Sequence, residues 1–175
     1  MTAGAVYPDL KGASVFITGG GSGIGAALTE GFCAQGARVA FVQRREASAF
    51  CDGVAERTGN RPFFLPCDIT DSLALKTAIA RAADAHGPVT VLVNNAANDQ
   101  RVKTLEIDET FWNDSLNVNL RSYFFAAQAV IPGMKAAGGG SIINFSSISY
   151  MMADTGYVPY IAANAAITGM TRSLA

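Results

Sequence analysis

The sequence predicts an α/β domain: a doubly wound parallel sheet with helices on both faces. Three observations carry that expectation. Short β-branched and aromatic runs alternate with stretches whose apolar residues recur at three and four positions, the pattern of strand–helix–strand units. A glycine cluster, Gly19-Gly20-Gly21-Ser22-Gly23-Ile24-Gly25, stands where the first such run meets the first helical stretch. Of the 175 residues, 50% are apolar and 15% charged, which suits one chain folding around one core.

The elements follow in order. Residues 14–18 (Ser14-Val15-Phe16-Ile17-Thr18) read as a strand, about 23–35 as a helix, and 38–43 as a second strand. Ala47, Phe50 and Val54 fall on one helical face, and residues 61–66 give a short third strand. Leu75, Ile79 and Ala82 mark a helix that stops at Gly87-Pro88. Residues 89–93 are continuously apolar, as in a strand buried on both faces. A long helix is expected from about Asp108 to Ile131, with Trp112, Leu116, Leu120, Tyr123 and Ala127 at helical spacing and Trp112 read as packing. Gly138-Gly139-Gly140 breaks it before a fifth strand at 141–145, and a loop from 146 to 159 leads into a last helix that still runs at Ala175. A doubly wound dinucleotide domain has six strands, and five are counted here. The expectation is therefore a single domain over 1–175 that lacks the C-terminal strands and the segment covering the substrate.

Composition excludes several functions. Thirteen Lys+Arg stand against fourteen Asp+Glu, a net charge of −1, so there is no electrostatic footprint for nucleic acid. No apolar run approaches the ~18 residues of a membrane span, and the first eight residues lack the parts of a signal peptide. Cys33, Cys51 and Cys67 are widely spaced with no C-x-x-C pair, which reads as buried reduced thiols in a cytoplasmic protein. His86 is the only histidine, reads as a helix-end residue beside the C-terminal dipole, and has no clustered partners for a metal.

The glycine loop carries the first functional signal. Glycines allow a tight turn and let backbone N–H groups approach a pyrophosphate, whose charge the helix N-terminus favours. The G-x-G-x-x-G/A pattern fits in its Ala form at Gly21, Gly23 and Ala26, and G-x-x-x-G-x-G fits better at Gly19, Gly23 and Gly25. An acid at the end of the second strand normally accepts the adenosine ribose hydroxyls. That position is Gln43, followed by Arg44 and Arg45, which removes repulsion of a 2′-phosphate and supplies guanidinium groups to bind it. NADP is the expected cofactor, with NAD the alternative.

Further motifs follow. Asn94-Asn95-Ala96-Ala97 comes after the fourth strand, Asn119 lies in Val118-Asn119-Leu120, Ser147 follows the fifth strand, and Tyr160 lies 13 positions after Ser147. With Thr18-Gly19 through Gly25, these resemble the short-chain dehydrogenase/reductase family over essentially the whole chain, with Ala97 in place of the last glycine of N-N-A-G. The resemblance implies a Rossmann fold and hydride transfer between a nicotinamide and an alcohol or carbonyl substrate. It implies that Tyr160 is the general acid/base, that Ser147 positions the substrate oxygen, and that Asn119 completes the active site. It implies cofactor contacts from Gly19, Gly21, Ser22, Gly23, Ile24, Gly25, Gln43, Arg44, Asp68 (beside the adenine), Ile69, Asn95, Ala96, Ala97, Tyr160 and the residue four after Tyr160. In the family that residue is a lysine, which stabilises the phenolate and holds the ribose; here it is Asn164. A homodimer or homotetramer is implied as well. Residues 7–12, 94–99 and 147–150 are similar to members that oxidise aldoses at C1, and the polar Asn98-Asp99-Gln100-Arg101 loop suits a polyhydroxy substrate. The alternatives are a 3-oxoacyl or generic ketone substrate and, in another class, a catalytically silent dinucleotide-binding or assembly protein.

Overall fold

A computed structural model describes residues 5–152 and 154–175. Five parallel strands, β1 (Ser14–Thr18), β2 (Arg38–Gln43), β3 (Phe63–Pro66), β4 (Val91–Asn94) and β5 (Ser141–Asn144), form one sheet in the order β3-β2-β1-β4-β5. The helices are α1 (Gly23–Ala34), α2 (Ser48–Thr58), α3 (Ser72–His86), α4 (Glu109–Leu116), α5 (Ser122–Ala136) and α6 (Val158–Leu174). The order of the first five strands is that of the doubly wound fold, with the topological switch between β1 and β4.

Alternation along the central strands builds two cores at once. Val15, Ile17, Val39, Phe41 and Val93 face the side that Cys33 of α1 and Cys51 and Val54 of α2 cover. Phe16, Ala40, Val42 and Leu92 face Leu75 and Ile79 of α3 and Ala126, Ala127 and Val130 of α5. Each fully buried side chain of this kind stabilises the fold by about 1.5–3 kcal/mol.

Three boundaries differ from the sequence reading. β3 and β4 each begin two residues later than expected, because pairing with β2 and β1 starts only at Phe63 and Val91. The long helix extends past Pro132 to Ala136 and stops only where Gly138 adopts φ 88°. It also contains a wider π turn, Asn117–Arg121, between α4 and α5, which no periodicity in the sequence announces. His86 does end α3, but burial and then the nearby Arg38 charge lower its pKa, so the imidazole is held toward its neutral form despite the helix dipole.

The β1–α1 turn is a close backbone approach. Gly19 has φ 72°, and its N–H donates to the Val42 carbonyl at 2.7 Å. A Cβ at position 25 would fall on the Gly19 carbonyl oxygen. Gly25→Ala is therefore expected to cost about 1–3 kcal/mol through overpacking, and at roughly 2–4 °C per kcal/mol the melting temperature reads it directly; an unchanged midpoint would remove the steric argument.

All three cysteines are free and buried. Burial pushes the Cys33 thiol up to about 12 and the Cys67 thiol up to about 11. Thiols of the native protein are thus expected to resist alkylation at pH 8 until the chain unfolds. Above pH ~9 the unfolded chain ionises its thiols while the folded one does not. Stability should therefore decline from pH 9 towards 12, measurable as a falling denaturant midpoint.

Candidate active site

The C-terminal ends of β1, β4 and β5 bring three loops together at the switch point. Thr18, the last residue of β1, accepts at Oγ1 from the N–H of Asn95 (3.0 Å) and of Ala96 (3.1 Å). Asn95 answers with its Nδ2, which donates to the carbonyls of Thr18 (3.1 Å) and Gly19 (3.2 Å). This reciprocal pair locks the loop after β4 to the glycine turn. Beside it, Asn94 Nδ2 donates to Asn144 Oδ1 at 2.9 Å, and Asn144 Nδ2 donates to Thr171 Oγ1 at 2.9 Å, which ties β4, β5 and α6 together.

The glycine turn fits a dinucleotide. Ser22 makes no side-chain cap on α1, and Ser22, Gly23 and Ile24 are exposed. Gly23, at φ 52°, has open space where a Cβ would stand. Among the described residues no side chain caps the first N–H groups of α1, which face an uncrowded surface, as a pyrophosphate requires. Gly21 packs so closely on Gln43 that a Cβ would collide with its amide, and Gln43 Nε2 donates to the Arg45 carbonyl at 2.9 Å. Arg44 lies 3.9 Å from the Asp68 carboxylate, an exposed pair worth about 0–1 kcal/mol, so its guanidinium can be recruited elsewhere. The Asp68 carboxyl is held below its ordinary value, chiefly by the Thr70 N–H and further by the Thr70 hydroxyl and Arg44. Ile69 is buried in the core, so its side chain offers nothing to a ligand.

A cavity of about 130 Å³ is lined by Ile24, Asn95, Ala97, Asn119, Tyr123, Phe145, Ser146, Tyr160, Asn164 and Ile167. It brings together the start of α1, the loop after β4, the π turn, the loop after β5 and α6. A larger open groove of about 350 Å³ between β3 and α3 has Asp71 engaged as the α3 cap and holds no set of reactive groups.

The π turn aims Asn119 at the loop after β4. Its Oδ1 accepts the Asn98 N–H at 2.8 Å, and its Nδ2 donates to the Asn98 carbonyl at 2.9 Å and the Ser115 carbonyl at 2.9 Å. Tyr160 enters the cavity from the first turn of α6, its ring stacked on Tyr157 at 5.3 Å. Asn164 is buried one turn on, and its Nδ2 donates to the Tyr160 carbonyl at 2.9 Å. It is a neutral amide with one proton engaged by its own helix.

Ser147 is placed differently. Its Oγ accepts the Ser149 N–H at 3.2 Å, capping a short 3₁₀ turn (Ile148–Tyr150), and it is not among the residues lining the cavity. Ser146 lines it, with its hydroxyl donating to the Asn164 carbonyl at 3.0 Å. The sequence reading left Tyr123, Phe145, Ser146 and Ile167 out of the site. Ile167 lies three residues after Asn164, on the same helical face, a spacing that could have revealed it. Tyr123 is buried, and burial, with Tyr160 as a lesser cause, raises its phenol above the ordinary value.

Residues 13–175 match the family model described as short chain dehydrogenase. A protein named as a probable galactose dehydrogenase from Rhizobium meliloti (strain 1021) is 48% identical over 97% of this chain and 67% of its own length. The D-xylose 1-dehydrogenase of Caulobacter vibrioides (strain NA1000 / CB15N) is 46% identical over 98% of this chain and 68% of its own. The chain thus spans about two thirds of the length of these curated relatives. The crystal structure of the NADH-dependent reductase A1-R′ complexed with NAD superposes with a TM-score of 0.87 at 26% identity, covering 95% of this chain and 73% of that one. No helix among the described residues is long and apolar enough to cross a membrane. Matched by the family model over residues 13–175 and by these relatives at 46% and 48% identity, the protein belongs to the short-chain dehydrogenase family of oxidoreductases.

Proposed function

We propose that the protein is an NAD(P)-dependent oxidoreductase acting on an alcohol/carbonyl pair, with an aldose oxidised at C1 as the preferred substrate. The observation that carries this reading is the convergence of Tyr160, Asn119, Asn95 and Asn164 on one cavity that reaches Ile24 at the start of α1. Two relatives named for galactose and xylose support the sugar. A nicotinamide, when bound, supplies the hydride exchange. The chain's own residues do the rest. The first turn of α1 holds the pyrophosphate. Tyr160 Oη takes the proton of the substrate hydroxyl during oxidation and returns it during reduction. Ser147, outside the cavity lining, accepts the Ser149 N–H at its Oγ and keeps its hydroxyl proton to offer to the substrate oxygen. Asn119 holds the Asn98 backbone and so keeps the loop after β4 at the rim of the site.

The weak point is charge. A phenol with an ordinary pKa near 10 is a poor base at neutral pH, and an adjacent cation favours its ionised form. Asn164 supplies none. The cavity beside it has room for a longer side chain, so Asn164→Lys is expected to raise kcat by ~10²–10⁴-fold and move the onset of activity to lower pH. Tyr160→Phe in the same background should abolish turnover. These are read by hydride transfer on a panel of aldoses, secondary alcohols and ketones. The same neutral amide favours a second reading, a catalytically silent dinucleotide-binding protein. If Asn164→Lys gains nothing on any substrate, that second reading replaces the first.

NADP is the proposed cofactor over NAD, because Gln43 stands where a carboxylate would repel a 2′-phosphate and Arg44, in only a weak exposed pair with Asp68, can turn to bind one. Arg44→Ala is expected to weaken NADP about tenfold and leave NAD unchanged in equilibrium titrations. A wild-type protein binding NAD more tightly would reverse the assignment.

A further inference from the structure

We propose that Arg101, Asp154 and Tyr157 form a positioning unit that joins the loop after β4 to the loop before α6 and sets the plane of the Tyr160 ring; this rests on reading Tyr160 as the acid/base. The contacts converge from both loops. Arg101 Nη1 donates to the Thr155 carbonyl at 3.1 Å, and Nη2 lies 3.5 Å from Asp154 Oδ2. The Arg101 guanidinium carbon stands 4.1 Å from the centre of the Tyr157 ring. Tyr157 Oη donates to the same Asp154 oxygen at 2.7 Å, and Val102 N–H donates to the Gly156 carbonyl at 2.8 Å. The Tyr157 ring then lies on Tyr160 at 5.3 Å and 14° between planes.

An exposed arginine is ordinarily solvated and contributes little to stability. Here the Arg101 side chain is 60% exposed, yet a carbonyl, a carboxylate and an aromatic face all meet its guanidinium. Guanidinium stacks on aromatic faces through its planar, weakly hydrated charge, so the side chain orients the ring below it as well as neutralising Asp154. Orientation matters because, among the described residues, no hydrogen bond from the protein holds the Tyr160 hydroxyl. Its ring plane is therefore set by packing, and Tyr157 supplies the stacked face. A cation above that stack also stands in a region where position 164 provides none. Small misplacement of an acid/base group is costly in rate while leaving cofactor binding, centred on the β1–α1 turn, largely untouched.

The test labels the five tyrosines with 3-fluorotyrosine and assigns the Tyr160 fluorine resonance by its loss in Tyr160→Phe. In Arg101→Met the Tyr160 resonance is expected to move and kcat to fall about tenfold, with the cofactor KM within about twofold and an unchanged melting temperature. Arg101→Lys, which keeps a charge over the ring, should recover at least half of the loss in kcat. Should Arg101→Met prove unstable, Asp154→Asn, also on the surface, is expected to move the same resonance. A Tyr160 resonance that stays in place in Arg101→Met overturns the proposal. If neither the protein nor its Asn164→Lys variant transfers hydride, the dehydrogenase reading fails, and the resonance alone then decides the positioning unit.

Discussion

The site depends first on how closely two backbones approach. Gly25 sits against the Gly19 carbonyl with no room for a Cβ, which lets α1 begin directly above the end of β1. The Thr18–Asn95 exchange then fixes the loop after β4 to the same turn. One glycine contact and one side-chain pair thus hold the first turn of α1, Ile24 and Asn95 in register around a single hollow. A bulkier turn would separate the first turn of α1 from the loop after β4.

The opposite wall is built by a departure from regular helix. The π turn at Asn117–Arg121 gives Asn119 an orientation in which its amide meets both backbone groups of Asn98. The amide acts as a strand partner would for one residue. α6 is brought to the same wall by Asn144 and Thr171, so Tyr160 and Asn164 enter the cavity from an element tied to the sheet. Tyr160 and Asn164 are held at one cavity, while position 164 carries no charge. These are separable properties, because packing and hydrogen bonds place a phenol and a nearby charge tunes it.

Most of the architecture was legible in residue order. Strand alternation and the glycine turn were readable because each rests on local chemistry, pleat periodicity and φ freedom, whereas Asn119, Ser147 and Tyr160 stood out only through a family resemblance. The neutral Asn164, where that resemblance implies a lysine, was read in the same way. Other features depend on partners distant in the chain. Nothing near Pro132 says that the helix continues past it, or near Val118 that the turn widens. The ends of β3 and β4 follow from where β2 and β1 stop pairing.

The sequence by itself determined the fold class and the glycine turn, since both are written in short segments, and a family resemblance supplied Tyr160 as the acid/base candidate. Tertiary structure decided which of the candidates share a cavity. It placed Tyr123, Phe145, Ser146 and Ile167 beside Tyr160 and left Ser147 capping a turn. It also carried Arg101 across to Tyr157, 56 positions along the chain. Apart from Ile167, which helical spacing from Asn164 reaches, these meetings arise from packing between elements far apart in sequence.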